Sequence, residues 1–147
     1  CKSFYIYKFR TMKSEDSGIA KELKQVVKDD KRVTSIGKYL RKYSIDELPQ
    51  LFNVINGDMS LVGPRPHAVV HNELYKNKIN GYIQRHSIKP GMTGLAQVNG
   101  FRGETKKLKN MQNRLKADME YIQDWSLYLD IKILVKTFFI IFKGSAF

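Results

Sequence analysis

The sequence predicts an α+β fold: a single, mainly helical domain with one small β element near its start. Three observations carry this. The chain has 147 residues of which 42% are hydrophobic, enough for one domain with a true core. Apolar residues recur at helical spacing along most of its length. Only residues 4–10, Phe-Tyr-Ile-Tyr-Lys-Phe-Arg, show the aromatic and β-branched run of a strand with no turn residue inside it.

The elements follow in order. After the strand, residues 13–31 form a polar connection with a weak helical pattern at 19–27. Thr34 or Ser35 can cap a short helix whose Ile36, Tyr39, Leu40 and Tyr43 share one stripe. A second helix starts near Asp46 and stops at Asn56-Gly57, where glycine permits the left-handed exit. Gly63-Pro64-Arg65-Pro66 is excluded from any helix interior and makes a stiff loop. Residues 68–84 are helical with a break at Asn80-Gly81, and residues 89–103 are a long structured loop. Residues 104–124 are the clearest helix, with Leu108, Met111, Leu115, Met119 and Ile122 on one stripe. A last, strongly apolar helix covers 125–142 and is interrupted by Lys132 and Lys136, so it falls short of a membrane span.

Charge narrows the partners. Lys and Arg number 26 against 14 acidic residues, a net charge of +12, and each third of the chain carries an excess. A distributed positive field suits phosphate-bearing partners or an anionic membrane surface. A nucleic-acid module is disfavoured, because the aromatics follow helical spacing and no nucleic-acid motif is present. A non-catalytic membrane-surface scaffold stays open. One cysteine, Cys1, rules out an internal disulfide and a cysteine-cluster zinc site. The chain begins with Cys1 and shows no signal-peptide pattern, which reads as a fragment or a chain numbered from within a longer one.

Ser44-Ile45-Asp46-Glu47 admits two readings. It has the pattern of a capping box ahead of Leu48, Leu51, Phe52 and Ile55. It also places two adjacent carboxylates at a helix N-terminus that attracts phosphate, where one could attack phosphorus and the other hold Mg²⁺. Pro49 distorts that first turn, which a plain cap does not need. Arg65, flanked by two prolines, is a stiff clamp for a diphosphate. Lys8 and Arg10 share one face of the first strand. Asp130 between Leu129 and Ile131 is an acid that needs a partner. His67, His71 and His86 have no defensible metal spacing.

Taken together the motifs are specific. Lys8-Phe9-Arg10-Thr11-Met12, Asp30-x-Arg32-x-Thr34, Leu40-Arg41, Ser44-Ile45-Asp46-Glu47-Leu48-Pro49-Gln50 and Met59-Ser60-Leu61-Val62-Gly63-Pro64-Arg65-Pro66 run in order. The stretch from Lys89-Pro90-Gly91-Met92-Thr93-Gly94 to Leu95-Ala96-Gln97-Val98-Asn99-Gly100 follows, and then Trp125-Ser126-x-x-x-Asp130. From residue 4 to about 142 this resembles the bacterial sugar transferases, the monotopic phosphoglycosyl transferases. The stretches 67–73 and 102–105 look most like the undecaprenyl-phosphate glucose phosphotransferase branch, with a galactose relative close behind.

The resemblance implies that a UDP-sugar gives its sugar-1-phosphate to undecaprenyl phosphate and releases UMP, with Mg²⁺ as cofactor. It implies a catalytic domain over 1–147, acting at the cytoplasmic face of the bacterial inner membrane. By the same match Asp46 is the nucleophile, Glu47 the Mg²⁺ ligand and Arg65 a phosphate-binding arginine. Lys8, Arg10, Arg41, Asp118 and Asp130 are expected to line or brace the site. The strand at 4–10 is expected to be the remnant of a β-hairpin arm, and the last helix to lie at the membrane interface. The family's N-terminal membrane segment is expected to be missing. A homodimer is left open, and nucleic acid is not an expected partner.

Overall fold

The computed structural model describes residues 3–13, 30–103 and 108–144. The expected helical pattern at 19–27 lies outside them. The order is α1 (Ser35–Lys42), a 3₁₀ turn (Ile45–Glu47), α2 (Gln50–Ile55), β1 (Ser60–Val62) and α3 (Val69–Lys76). A second 3₁₀ turn (Tyr82–His86), β2 (Gly91–Thr93), α4 (Leu95–Val98), α5 (Leu108–Gln123) and α6 (Leu127–Phe142) complete it. The fold is mainly helical α+β, as the sequence predicts.

The β element is not where the sequence placed it. Residues 4–10 are extended but pair with no strand among the described residues. Their backbone is satisfied instead by the turn and helix they cross. Phe9 N–H donates to the Asp46 carbonyl at 3.0 Å, and Tyr7 N–H to Asn53 Oδ1 at 3.1 Å. Asn53 Nδ2 returns a bond to the Tyr5 carbonyl at 2.8 Å. Asn53 is fully buried, so one side-chain amide does the work of a neighbouring strand.

The real sheet is a parallel pair, β1 with β2, in the register Ser60↔Gly91 and Val62↔Thr93. β2 and α4 lie inside the stretch expected to be loop. Glycines make the pairing possible, because the backbones almost touch. A Cβ on Gly91 would lie 2.1 Å from Gly63 N, and one on Gly94 would lie 2.1 Å from Gly63 O. Glycine and proline density marked a loop, but here it marks close backbone approach.

α5 is the central beam. Its Met111 and Leu115 pack with Tyr75 of α3, Tyr82 of the second 3₁₀ turn and Ile79 between them. Tyr121, further along, packs with Val62 of β1 and Ile133 of α6. α1 starts on an N-cap, Thr34 Oγ1 accepting from Gly37 N–H at 2.9 Å, as its sequence predicts. Its stripe is not core, however: Ile36 and Tyr39 are exposed, as are Leu51, Phe52 and Ile55 of α2. α6 buries only Ile133 and exposes much of its remaining apolar surface. Among the described residues no helix is long and apolar enough to cross a membrane.

Gly94→Ala should therefore fail by backbone collision and not by lost entropy. We expect a loss of about 3 kcal/mol or more, the upper range for overpacking, read as a shifted urea midpoint.

Candidate active site

The expected helix from Asp46 to Asn56 is split. Ser44 takes a left-handed conformation, φ 53°, uncommon for a residue with a side chain. A single 3₁₀ turn follows, and α2 begins only after Pro49. The capping box does not form: Ser44 makes no side-chain cap bond, and its Oγ accepts from Arg102 Nη1 at 2.9 Å. With one short turn there is little helix dipole. Attraction for phosphate has to come from side chains.

Those side chains converge on Glu47. Its Oε1 accepts from Lys8 Nζ at 2.9 Å and from Arg65 Nη2 at 2.5 Å. Its Oε2 accepts from Arg102 Nη2 at 2.9 Å and Arg65 Nη1 at 3.3 Å. The carboxylate is nearly buried, which by itself would raise its pKa. Arg65, Lys8 and Arg102 outweigh the burial and hold it well below the usual carboxylate range. Asp46 is the opposite case. It is 9% exposed, and among the described residues its carboxylate makes no hydrogen bond or ion pair. Burial and then the charge of Glu47 push its pKa up, against Lys8, Arg41 and Arg102. Two adjacent carboxylates thus have separate characters, one pinned and one more basic and unencumbered.

The remaining expected residues are placed as follows. Arg41 Nε donates to Thr11 Oγ1 at 2.8 Å, tying α1 to the extended segment. Arg10 is exposed on that segment. Asp118 is buried, and its Oδ2 accepts from Arg85 Nε and Nη2 at 3.0 and 2.8 Å. Asp130 Oδ1 accepts from Tyr121 Oη at 2.7 Å and its Oδ2 from Trp125 Nε1 at 3.3 Å, at the joint of α5 and α6. Lys8, Arg65, Asp46 and Glu47 come together, while Asp118 and Asp130 brace elements around them. Arg102 was not singled out as a site residue. Its only signal was its place at the head of the stretch 102–105, one of the two on which the resemblance to one branch of the family rests.

Beside Glu47, Ser44 and Arg102 opens a cavity of about 170 Å³, lined mainly by apolar side chains including Leu61, Met92, Leu134 and Ile141. Its walls come from β1, β2, α4 and α6. A charged mouth on an apolar chamber suits an amphiphile with an anionic head.

The carboxylate pair is a hard-oxygen donor set. Among the described residues no cluster of three acidic, His or Cys side chains could hold a metal alone. The residues fit a Mg²⁺ held by one or two carboxylates and completed by substrate phosphate oxygens and water, which is how Mg²⁺ is usually bound. They do not make an all-protein cage.

Two expectations follow for stability. Asp46→Asn removes an anion that the fold disfavours, so its Tm at pH 7 should equal or exceed that of the wild type. Glu47→Gln leaves three cations facing a neutral group and should cost about 3 kcal/mol, the range for breaking a buried ion pair. Thermal and urea melts of both variants check this.

His67 gives a third. It lies between Arg85 and Arg114, at 3.0 and 3.3 Å. Burial first, and then the two guanidinium charges, depress its pKa far below the ordinary value of 6.5. Here the unfolded chain binds the proton more tightly. The neutral ring's contribution is thus intact above about pH 6.5 and is lost as pH falls below it, by up to about 1.4 kcal/mol per pH unit. Urea midpoints from pH 7 to 5 should fall more steeply in the wild type than in His67→Gln.

A family profile described as bacterial sugar transferase matches residues 1–144. A UDP-glucose:undecaprenyl-phosphate glucose-1-phosphate transferase of Xanthomonas campestris pv. campestris is 54% identical over 136 residues, covering 92% of this chain and 28% of that protein. The enzyme of the same name from Escherichia coli K12 is 51% identical over 143 residues, 97% of this chain and 30% of its own length. Galactosyl transferase CpsE of Streptococcus agalactiae serotype III is 42% identical over 151 residues, 97% of this chain and 32% of its own. The chain thus spans about 30% of the length of these relatives. Matched along nearly its whole length, with the carboxylate pair and its cations assembled at one point, the chain belongs to the bacterial sugar transferase family.

Proposed function

We propose that this domain transfers a hexose-1-phosphate, by its relatives' names glucose-1-phosphate, from a UDP-sugar to undecaprenyl phosphate with release of UMP. The observation that carries the reading is the division of labour between Asp46 and Glu47, with Glu47 lining an apolar cavity. In the first step an Asp46 carboxylate oxygen attacks the phosphorus that bears the sugar. The bond from that phosphorus to the bridging oxygen breaks, and UMP leaves with the bond electrons. In the second, an oxygen of the acceptor phosphate attacks the same phosphorus and the bond to Asp46 breaks.

The chain's own groups do specific work. Lys8, Arg65 and Arg102 are arginine and lysine donors already gathered at one carboxylate, and they neutralise the diphosphate as it arrives. Arg65 and Arg102 can each offer a planar fork to phosphate oxygens. Glu47 keeps the three cations together while no anion is bound. A Mg²⁺ shared by the carboxylates and the diphosphate would supply further charge neutralisation. Without a bonded partner among the described residues and more basic than usual, Asp46 is the better nucleophile of the pair. The apolar cavity gives the acceptor's first isoprene units a place beside its phosphate.

Membrane contact belongs to the same proposal. The exposed apolar faces of α1, α2 and α6, with a net charge of +12, suit an interfacial position on the anionic cytoplasmic face of the bacterial inner membrane. Binding to anionic liposomes should weaken with salt and fall further when Phe138 and Phe142 are both replaced by Ser. Unchanged flotation of that variant would remove α6 from the interface.

Intact-protein mass spectrometry after mixing with UDP-glucose alone should show a phosphohexose adduct on the wild type and none on Asp46→Asn. Turnover by Asp46→Asn would defeat the mechanism. UDP-galactose is the second reading, favoured by the galactosyl transferase among the relatives, and a two-donor competition separates the epimers.

A further inference from the structure

Two arginines that make no bond to Asp46 or Glu47 are buried next to the carboxylate site. Arg85, 2% exposed, sits in the second 3₁₀ turn, and Arg114, 7% exposed, on α5. Each ends on main-chain carbonyls of a loop that carries a site arginine. Arg85 Nη2 donates to the carbonyl of Arg65 itself at 2.7 Å. Arg114 Nε donates to the Phe101 carbonyl at 2.8 Å, and its Nη2 to the Gly103 carbonyl at 2.7 Å, so its fork straddles Arg102. Both trace back to one face of α5. Arg114 belongs to it, and Asp118, one turn on, holds Arg85 through Nε and Nη2. His67 closes the circuit, its Nδ1 3.0 Å from Arg85 Nη1 and its Nε2 3.3 Å from Arg114 Nη1.

We infer that Arg85 and Arg114 are positioning residues that fix the stalks of Arg65 and Arg102 from α5, while the two guanidinium heads stay free to change partner. The physical case is one of entropy and charge. An arginine head that leaves Glu47 for a phosphate must move, and a loop that moved with it would lose freedom at the moment of reaction. Holding the backbone on buried carbonyl bonds separates the two motions. The choice of arginine for the clamp is also informative. A buried guanidinium is expensive, and Arg114 is pushed down to about 10, by burial first and then by Arg65 and Arg85. An apolar side chain would fill the space more cheaply. Only a planar fork reaches carbonyls on both sides of one residue.

The inference concerns where the two arginines sit; only its kinetic arm rests on the reaction proposed above. The first arm needs no turnover. Phenylglyoxal modification of Arg65 and Arg102 is followed by peptide mass spectrometry in the full-length protein and in Arg114→Lys and Asp118→Asn. Lysine keeps the charge of Arg114 but cannot span both carbonyls. Arg114→Lys should speed modification of Arg102 several-fold and leave Arg65 near the wild-type rate. Asp118→Asn should do the reverse. If Asp118→Asn does not fold, Arg85→Lys makes the same test of Arg65. Equal acceleration of both arginines in each variant, the signature of general loosening, would overturn the inference, and so would no acceleration. The second arm is a cycle of Arg114→Lys, Arg102→Ala and the double variant on UMP release. Arg114→Lys should lower kcat by about 100-fold, the scale of a misplaced group, with a smaller change in KM for the UDP-sugar. The double variant should match Arg102→Ala. Multiplying effects would show that Arg114 does not act through Arg102. A wild type that releases no UMP would reject the proposed reaction and leave the modification arm to decide.

Discussion

One carboxylate organises this molecule. Glu47 gathers a lysine from an extended segment, an arginine from the loop after β1 and an arginine from the loop after α4. Among the described residues these three pieces share no hydrogen-bonded ladder, and the charge of Glu47 makes their meeting favourable. Three cations against two carboxylates leave an excess positive charge at the site, so the cluster is stable and still hungry for an anion. A buried ion pair normally competes poorly with apolar packing. Here the desolvation cost is spread over three partners, each half open to solvent or nearer to it than Glu47 itself.

The rest of the fold serves that convergence. The parallel pair β1–β2 brings the Gly63-Pro64-Arg65-Pro66 loop against the start of β2, with Gly91 N–H donating to the Pro64 carbonyl at 2.9 Å. α5 carries both hydrophobic clusters and also the polar face under the site. The core is correspondingly mixed, with Asn53, Gln50, Arg85 and Asp118 as buried as its methionines and tyrosines. Polar burial on this scale is tolerable because nearly all of it is satisfied: Gln97 Oε1 is the one buried side-chain atom without a partner among the described residues.

Much of this was legible in the residues, for identifiable reasons. α5 and α6 announce themselves because a long stripe is a many-residue signal, and Thr34 because a cap is local chemistry. Asp46, Glu47 and Arg65 stood out because a proline or a second acid made their surroundings odd. What escaped was non-local. A strand of three residues, such as Gly91–Thr93, is too short for alternation to show, and its partner lies 31 positions away by register. The extended run at 4–10 has strand composition, but whether it pairs depends on Asn53. Arg102 lacked any local oddity, and its role exists only once the chain is folded. The stripe of α1 was legible as a face but its exposure was not, because periodicity says that a face is apolar and not what covers it.

The tether at Asn53 has a mechanical consequence. The segment from Tyr5 to Phe9 is fastened to the body at Asn53 and then at the Asp46 carbonyl, in that order along the chain. A tug directed along this strap is therefore delivered to the peptide unit of Asp46, with Lys8, an anchor of Glu47, lying between the two fastenings. Strap and carboxylate pair form one linkage, so a strain on the strap reaches the backbone of Asp46 and the ion pair of Glu47 together.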